Sequence, residues 1–129
     1  MPTISSGILG DSNLFNLHPI GEADIRREVF ELLVPGEEIV APFKTIRDQV
    51  IFTNKRIFVV NVQGITGKKV AYMSYPYSKI QFYGIETAGL LDIDSELILH
   101  FSNGSALTFD FSAGVDIRRI SRIISDFIL

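Results

Sequence analysis

Few residues in this chain could do chemistry, and their spacing argues for binding rather than catalysis. There is no cysteine, which removes disulfides, thiolate nucleophiles and cysteine-based zinc sites. The histidines are His18 and His100. His100 alternates with Leu99 and Phe101, so it sits on the wetter side of its strand. For neither histidine does the sequence name the orienting partner that acid–base catalysis needs. No G-x-S-x-G elbow occurs. Gly64-Ile65-Thr66-Gly67-Lys68-Lys69 resembles a phosphate loop only at a glance. Such a loop needs glycine where Val62 stands and a hydroxyl residue where Lys69 stands, and it must open a helix, whereas Val70–Tyr75 reads as strand. It is read instead as a strand connection in which Gly64 and Gly67 supply positive φ. No catalytic residue, cofactor or metal site is assigned.

Charged groups offer more. Lys44 and Arg47 flank one strand-to-strand turn, and Lys68 and Lys69 flank the next but one. In an up-and-down meander those two turns share one end of the sheet, so four cations could form a rim able to take phosphate. The turn between them, Asn54-Lys55-Arg56, lies at the other end. Asp92, Asp94 and Glu96 alternate, so on an extended chain they line one face, with Glu86 nearby in sequence. They could hold Ca²⁺ or Mg²⁺. A calcium loop beginning at Asp92, however, needs glycine at the position of Leu97 and glutamate at that of Asn103. The alternative is a solvated or subunit-facing acidic strip, matched by Lys55, Arg56, Lys68 and Lys69 on another copy.

The chain that must position these groups has 129 residues, the size of one domain with its own core. Hydrophobic residues make up 47%, which is globular rather than disordered. Net charge is −3, so the basic footprint of a nucleic-acid binder is missing and no nucleic-acid partner is expected. No apolar run approaches the roughly 20 residues of a membrane span. Residues 1–20 lack the pattern of a signal peptide. A cytoplasmic protein is expected, with attachment to a membrane surface as the variant.

Residues 1–20 are read as an N-terminal tail, although Ile8, Leu9, Leu14, Phe15 and Leu17 are many apolar residues for a free one. Residues 21–129 are read as a single domain. Ile25, Val29, Leu32 and Leu33 recur with helical period, predicting a helix over 22–34 that stops at Pro35-Gly36. Strands are predicted at 38–46, 48–53, 56–63, 68–75, 79–87, 95–101 and 105–111. If Asn54-Lys55 is a two-residue turn, Phe52 faces Ile57, Val50 faces Val59 and Ile51 faces Phe58, so both faces match. At Ser102–Ser105 a two-residue turn would set Leu97, Leu99 and Phe101 against the polar face of the next strand. A three-residue loop ending in a left-handed Gly104 pairs Leu99 with Leu107 and Leu97 with Phe109, and is preferred. Ile117, Ile120, Ile124, Phe127 and Ile128 form the apolar stripe of a last helix, 114–128. The fold class is α+β, mainly β. Its core is expected to gather Phe52, Ile57, Val59, Leu97, Leu99, Leu107, Phe109, Ile120 and Ile124.

Several segments together resemble a bacterial pleckstrin-homology-like domain, long catalogued as a domain of unknown function. They are Arg47-Asp48, Phe52-Thr53-Asn54-Lys55-Arg56, Gln63-Gly64, Thr66-Gly67-Lys68-Lys69, Tyr75-Pro76-Tyr77-Ser78-Lys79-Ile80, Glu86-Thr87-Ala88-Gly89 and Asp92-Ile93-Asp94-Ser95-Glu96-Leu97. The resemblance covers about residues 22–129. It implies a seven-stranded barrel or sandwich of two nearly orthogonal antiparallel sheets capped by the C-terminal helix, with an extra N-terminal helix. It also implies a ring-forming homo-oligomer, a pentamer being one form. Eukaryotic pleckstrin domains bind phosphoinositides through basic residues on and after the first strand, where Lys44 and Arg47 fall. The second strand, Gln49-Val50-Ile51-Phe52, lacks the further basic residue of that pattern.

The resulting expectation is a non-enzymatic, ring-forming scaffold that binds itself and takes a further ligand or protein. Lys44, Arg47, Lys68 and Lys69 are its ligand-binding candidates. Glu86, Asp92, Asp94, Glu96, Lys55 and Arg56 are its subunit-contact candidates. The alternatives are a membrane-surface or anionic-ligand module using the basic rim, and a small metal-binding protein or enzyme using the acidic strip.

Overall fold

The seven predicted strands form where the alternation places them, and an eighth precedes them. A computed structural model describes residues 12–87 and 94–129. Strand β1 is Ser12–Pro19, β2 Ile39–Lys44, β3 Gln49–Thr53, β4 Arg56–Gln63, β5 Lys69–Pro76, β6 Ile80–Thr87, β7 Ser95–Phe101 and β8 Ala106–Phe111. Helix α1 is Arg27–Leu32 and α2 is Ile117–Ile128. The sheet order is β5-β4-β3-β2-β1-β8-β7-β6. Two antiparallel halves, β2–β5 and β6–β8, are joined by β1, which runs antiparallel to β2 and parallel to β8.

Residues 12–19 are thus a strand between the halves rather than part of a tail. The reason they do not read as one is Asn16, at φ 59. Pairing with β8 slips between Leu14 and Leu17, so two residues three apart both point inward and are buried. A bulge of this kind breaks the two-residue alternation by which strands are recognised.

Both turn predictions hold in register. Across β3 and β4, Phe52 pairs with Ile57, Ile51 with Phe58 and Val50 with Val59. Across β7 and β8, Leu97 pairs with Phe109 and Leu99 with Leu107. Gly104 has φ 93, and Ser105 O accepts Phe101 N–H at 2.9 Å. Gly64 and Gly67, at φ 80 and 69, are left-handed as expected.

All nine expected core residues lie in one buried cluster between the halves and α2. Phe43, Phe52, Phe109 and Phe111 pack edge to face or tilted within it, at centroid distances of 5.0 to 6.4 Å. Asp116 caps α2 by accepting the Arg118 N–H at 3.1 Å, so the helix begins at Ile117 rather than 114.

The first helix is shorter than predicted. Glu22–Asp24 is a 3-10 turn, Ile25 is extended, Arg26 is non-helical at ψ 133, and α1 starts at Arg27. Gln49 holds the break open: its Oε1 accepts the Arg26 N–H at 3.1 Å and its Nε2 donates to Asp24 O at 2.9 Å. Ile25 and Val29 still bury, against Ile51, Phe58 and Val60 on the outer face of β3–β4. Leu32 stays exposed.

Candidate functional site

Three polar constellations stand out, and the first is structural. Pro35–Glu38 follows α1 and is clamped to the β3–β4 turn. Glu37 Oε1 accepts Val34 N–H at 3.0 Å and Arg56 Nη2 at 2.8 Å. Its Oε2 accepts Thr53 Oγ1 at 2.7 Å and Arg56 Nε at 2.9 Å. Arg56 also donates to Leu32 O at 2.7 Å and lies 4.2 Å over the Phe58 ring. Asn54 Nδ2 donates to Gly36 O and Asn54 Oδ1 accepts Glu38 N–H. Burial pushes the Glu37 carboxyl up, but the bonds from Arg56, Thr53 and Val34 outweigh it and hold the carboxyl below its usual range. Burial, with the Glu37 charge adding to it, pushes up the hydroxyl of Tyr77, which donates to Thr53 O at 2.6 Å.

The second constellation is the basic rim. The β2–β3 and β4–β5 turns meet, because Arg47 Nη2 donates to Gly64 O at 2.6 Å. Lys44 pairs in register with His18 on β1. Lys68 and Lys69 are exposed beside the glycine turn. Asp48 lies beneath, accepting Val62 N–H at 2.9 Å and Asn61 Nδ2 at 3.2 Å. Burial raises its pKa against those bonds.

The third is an acidic ladder. Glu86 on β6 faces Glu96 on β7, which faces Asp110 on β8. All three point away from the core, since Leu97 and Phe109 beside them point in. Burial, then the charges of Asp110 and Glu86, raise the Glu96 pKa; burial, then Asp94, raise that of Asp110. Like charges directly opposite on neighbouring strands repel. Among the described residues none of these carboxylates makes an ion pair within 4.0 Å. Further along the same face Phe82, 55% exposed, stacks on His100 at 4.2 Å.

Residues 8–128 match the family of the bacterial PH domain. The chain belongs to that family. A Bacillus subtilis relative, the uncharacterized protein YjqA, is 37% identical over 117 residues, covering 89% of this chain and 94% of that protein. A second one, YozO, is 32% identical over 94 residues, covering 73% and 81%. Among solved structures, a DUF1696-family protein with a pleckstrin-homology domain from Shewanella loihica is 34% identical with a TM-score of 0.78, covering 89% of this chain and 99% of that one. A pleckstrin homology domain from Shewanella amazonensis is 35% identical with a TM-score of 0.65, covering 85% and 90%. The fold is therefore pleckstrin-homology-like and mainly β, with β1 as an eighth strand beyond the expected seven.

Within this bacterial PH domain, the structure sorts the candidate residues. Lys44, Arg47, Lys68 and Lys69 lie on or beside the β2–β3 and β4–β5 turns, and of the four Arg47 is the one that bridges them, through Gly64. Glu86, Asp94 and Glu96 share a region of one face, while Asp92 lies outside the described residues. Lys55 is exposed at the tip of the β3–β4 turn. Arg56 is not an available surface cation: its guanidinium is consumed by Glu37. Sequence reasoning missed Glu37, whose partner is 19 residues away. It also missed Asp110, although pairing Leu97 with Phe109 already puts Asp110 opposite Glu96. Among the described residues no helix is long and apolar enough to cross a membrane, and no acid or histidine cluster is arranged to hold a metal.

Proposed function

We propose that this bacterial PH domain is a non-catalytic, self-assembling binding module. The observation that carries the reading is the ladder Glu86–Glu96–Asp110 with Asp94 beside it. Three registered carboxylates cost an isolated chain stability, and a cationic surface from another copy relieves that cost. An acidic patch meeting a different, basic patch makes a heterologous contact, which closes into a ring when the rotation fits. The exposed Phe82 supplies apolar area, from which most of the affinity must come. Light scattering tests this. The unmodified chain should run at several times its 14.4 kDa, and the double reversal Asp94→Lys with Glu96→Lys should lower that mass. A mass that the double reversal leaves unchanged would remove the ladder from the contact.

A second reading concerns the rim. Its support is the Arg47–Gly64 bond, which joins the two turns beside which Lys44, Arg47, Lys68 and Lys69 stand; cations there suit a phosphate-bearing head group or ligand. Co-sedimentation with anionic vesicles should then occur at low salt and fade as salt screens the patch. Co-sedimentation indifferent to Lys68→Ala with Lys69→Ala would reject it.

A further inference from the structure

Beside the start of α2 the strands part and leave an apolar crevice. Strand β1 pairs with β2 at His18 and Pro19, and beyond them Ile20 N–H donates to Pro42 O at 3.1 Å. Pro42 has no N–H to return, so the ladder ends there. Ile39 to Ala41 of β2 lie opposite Thr53 and Phe52 of β3, which makes Val40 the extra residue of a bulge. The bulge is turned to the helix: Val40 O accepts Arg119 Nη2 at 3.2 Å. The crevice between them holds about 300 Å³, the low end of the range for small-ligand sites.

Its walls and its polar groups limit what can enter. Ile20, Val40, Pro42, Val115 and Ile120 supply apolar surface. Among the described residues Arg119 is the one cation of the lining and Asp116 the one anion. Asp116 is engaged, accepting Arg118 N–H at 3.1 Å with Arg118 Nε at 3.6 Å. Arg119 makes no ion pair within 4.0 Å among the described residues. Its bond to Val40 O leaves Nε, Nη1 and the second N–H of Nη2 for a carboxylate, which a guanidinium grips by two parallel bonds. A ligand with a second negative charge would face Asp116, which disfavours a phosphate dianion. An added peptide strand would find little to bond, because Pro42 O is taken by Ile20 and Val40 O by Arg119.

We infer that this crevice binds a small monocarboxylate with an apolar tail, a straight-chain acid of a few carbons being the simplest. The tail lies against Ile20, Val40, Pro42, Val115 and Ile120, and the carboxylate sits on the Arg119 guanidinium. The site is distinct from the basic rim, since none of Lys44, Arg47, Lys68 and Lys69 lines it. It does not depend on how copies of the chain meet.

Hexanoate, hexan-1-ol and inorganic phosphate test it, each titrated into the full chain labelled at its isoleucine and valine methyls and followed by nuclear magnetic resonance. Methyl signals stay observable in a large assembly, and Ile20, Val40, Val115 and Ile120 report on the crevice. Hexanoate should shift these methyls saturably and bind at least about tenfold more tightly than hexan-1-ol, which lacks the charge-assisted bonds. Phosphate should leave them in place. Arg119→Gln should weaken hexanoate by about tenfold or more and leave hexan-1-ol as it was. The inference is overturned if hexanoate causes no saturable shift at these methyls, if hexan-1-ol binds as tightly, if phosphate moves the same methyls, or if Arg119→Gln leaves hexanoate binding unchanged. Should Arg119→Gln not fold, the comparison of hexanoate with hexan-1-ol and phosphate on the unmodified chain decides by itself.

Discussion

Glu37→Gln tests the clamp that fastens the turn after α1 to the β3–β4 hairpin. The wild-type carboxylate accepts four hydrogen bonds, two on each oxygen, and two of the four come from the Arg56 guanidinium. Glutamine has one oxygen. Whichever way the amide turns, two donors face an amide nitrogen that is itself a donor. Hydrogen bonds to a charged group contribute about 1.5–3 kcal/mol each, and breaking a buried ion pair from one side costs about 3–5 kcal/mol. The Glu37 side chain is fully buried and that of Arg56 is 20% exposed, so the loss belongs near that range, about 3–4 kcal/mol. A domain of this size has roughly 5–15 kcal/mol in total. Urea melts at pH 7 should show the loss as a lower midpoint with an unchanged slope, and thermal melts as a fall of roughly 10–20 °C. The pH dependence carries a second signature. The Glu37 pKa is lowered by folding, so its contribution is fully present above the unfolded value of about 4.3 and is lost as pH falls through the folded value. Wild type and variant should therefore converge as pH falls through that lowered value. A loss under about 1 kcal/mol at pH 7, or a gap that persists in acid, would refute the assignment.

Three further predictions follow from the core, the loop and the ladder. Phe109→Ala removes a fully buried ring and should cost about 3–5 kcal/mol in urea melts; a loss below about 1 kcal/mol would reject its core role. At Gly104 a Cβ meets no atom within 4 Å, so the whole penalty of Gly104→Val is backbone strain at φ 93, about 1–2 kcal/mol or more, whereas Ser105→Val should cost less; equal small effects would contradict the left-handed loop. Glu96→Gln relieves two like-charge pairs and should stabilise the unassociated chain by about 0.2–1 kcal/mol at neutral pH, the gain shrinking as pH falls through the raised pKa of Glu96 and native glutamate protonates. A gain that does not change with pH would show that charge is not its source.

What was legible in the sequence was what parity constrains. Two hairpins whose apolar faces must match leave one register each, and that register placed Val50, Phe52, Ile57 and Val59 on one side and Ile51 and Phe58 on the other. Meander parity likewise brought Arg47 to the glycine turn at Gly64. Features set by contacts distant in sequence were not legible. The break at Arg26 depends on Gln49, 23 residues away, while the local helical period continues unbroken through it. Strand β1 depends on a non-glycine residue, Asn16, in a left-handed conformation, which moves Leu17 onto the face of Leu14. Arg56 looked like a free surface cation because nothing near it in sequence announces a buried carboxylate at Glu37.

Self-association through opposite charged faces is tested most directly by the native mass of the unmodified chain, measured by light scattering over a dilution series from high to low micromolar concentration. The account predicts one multimer, a whole-number multiple of 14.4 kDa, whose dissociation on dilution begins at higher protein concentration as salt is raised. A single species of 14.4 kDa at every concentration and ionic strength would contradict it.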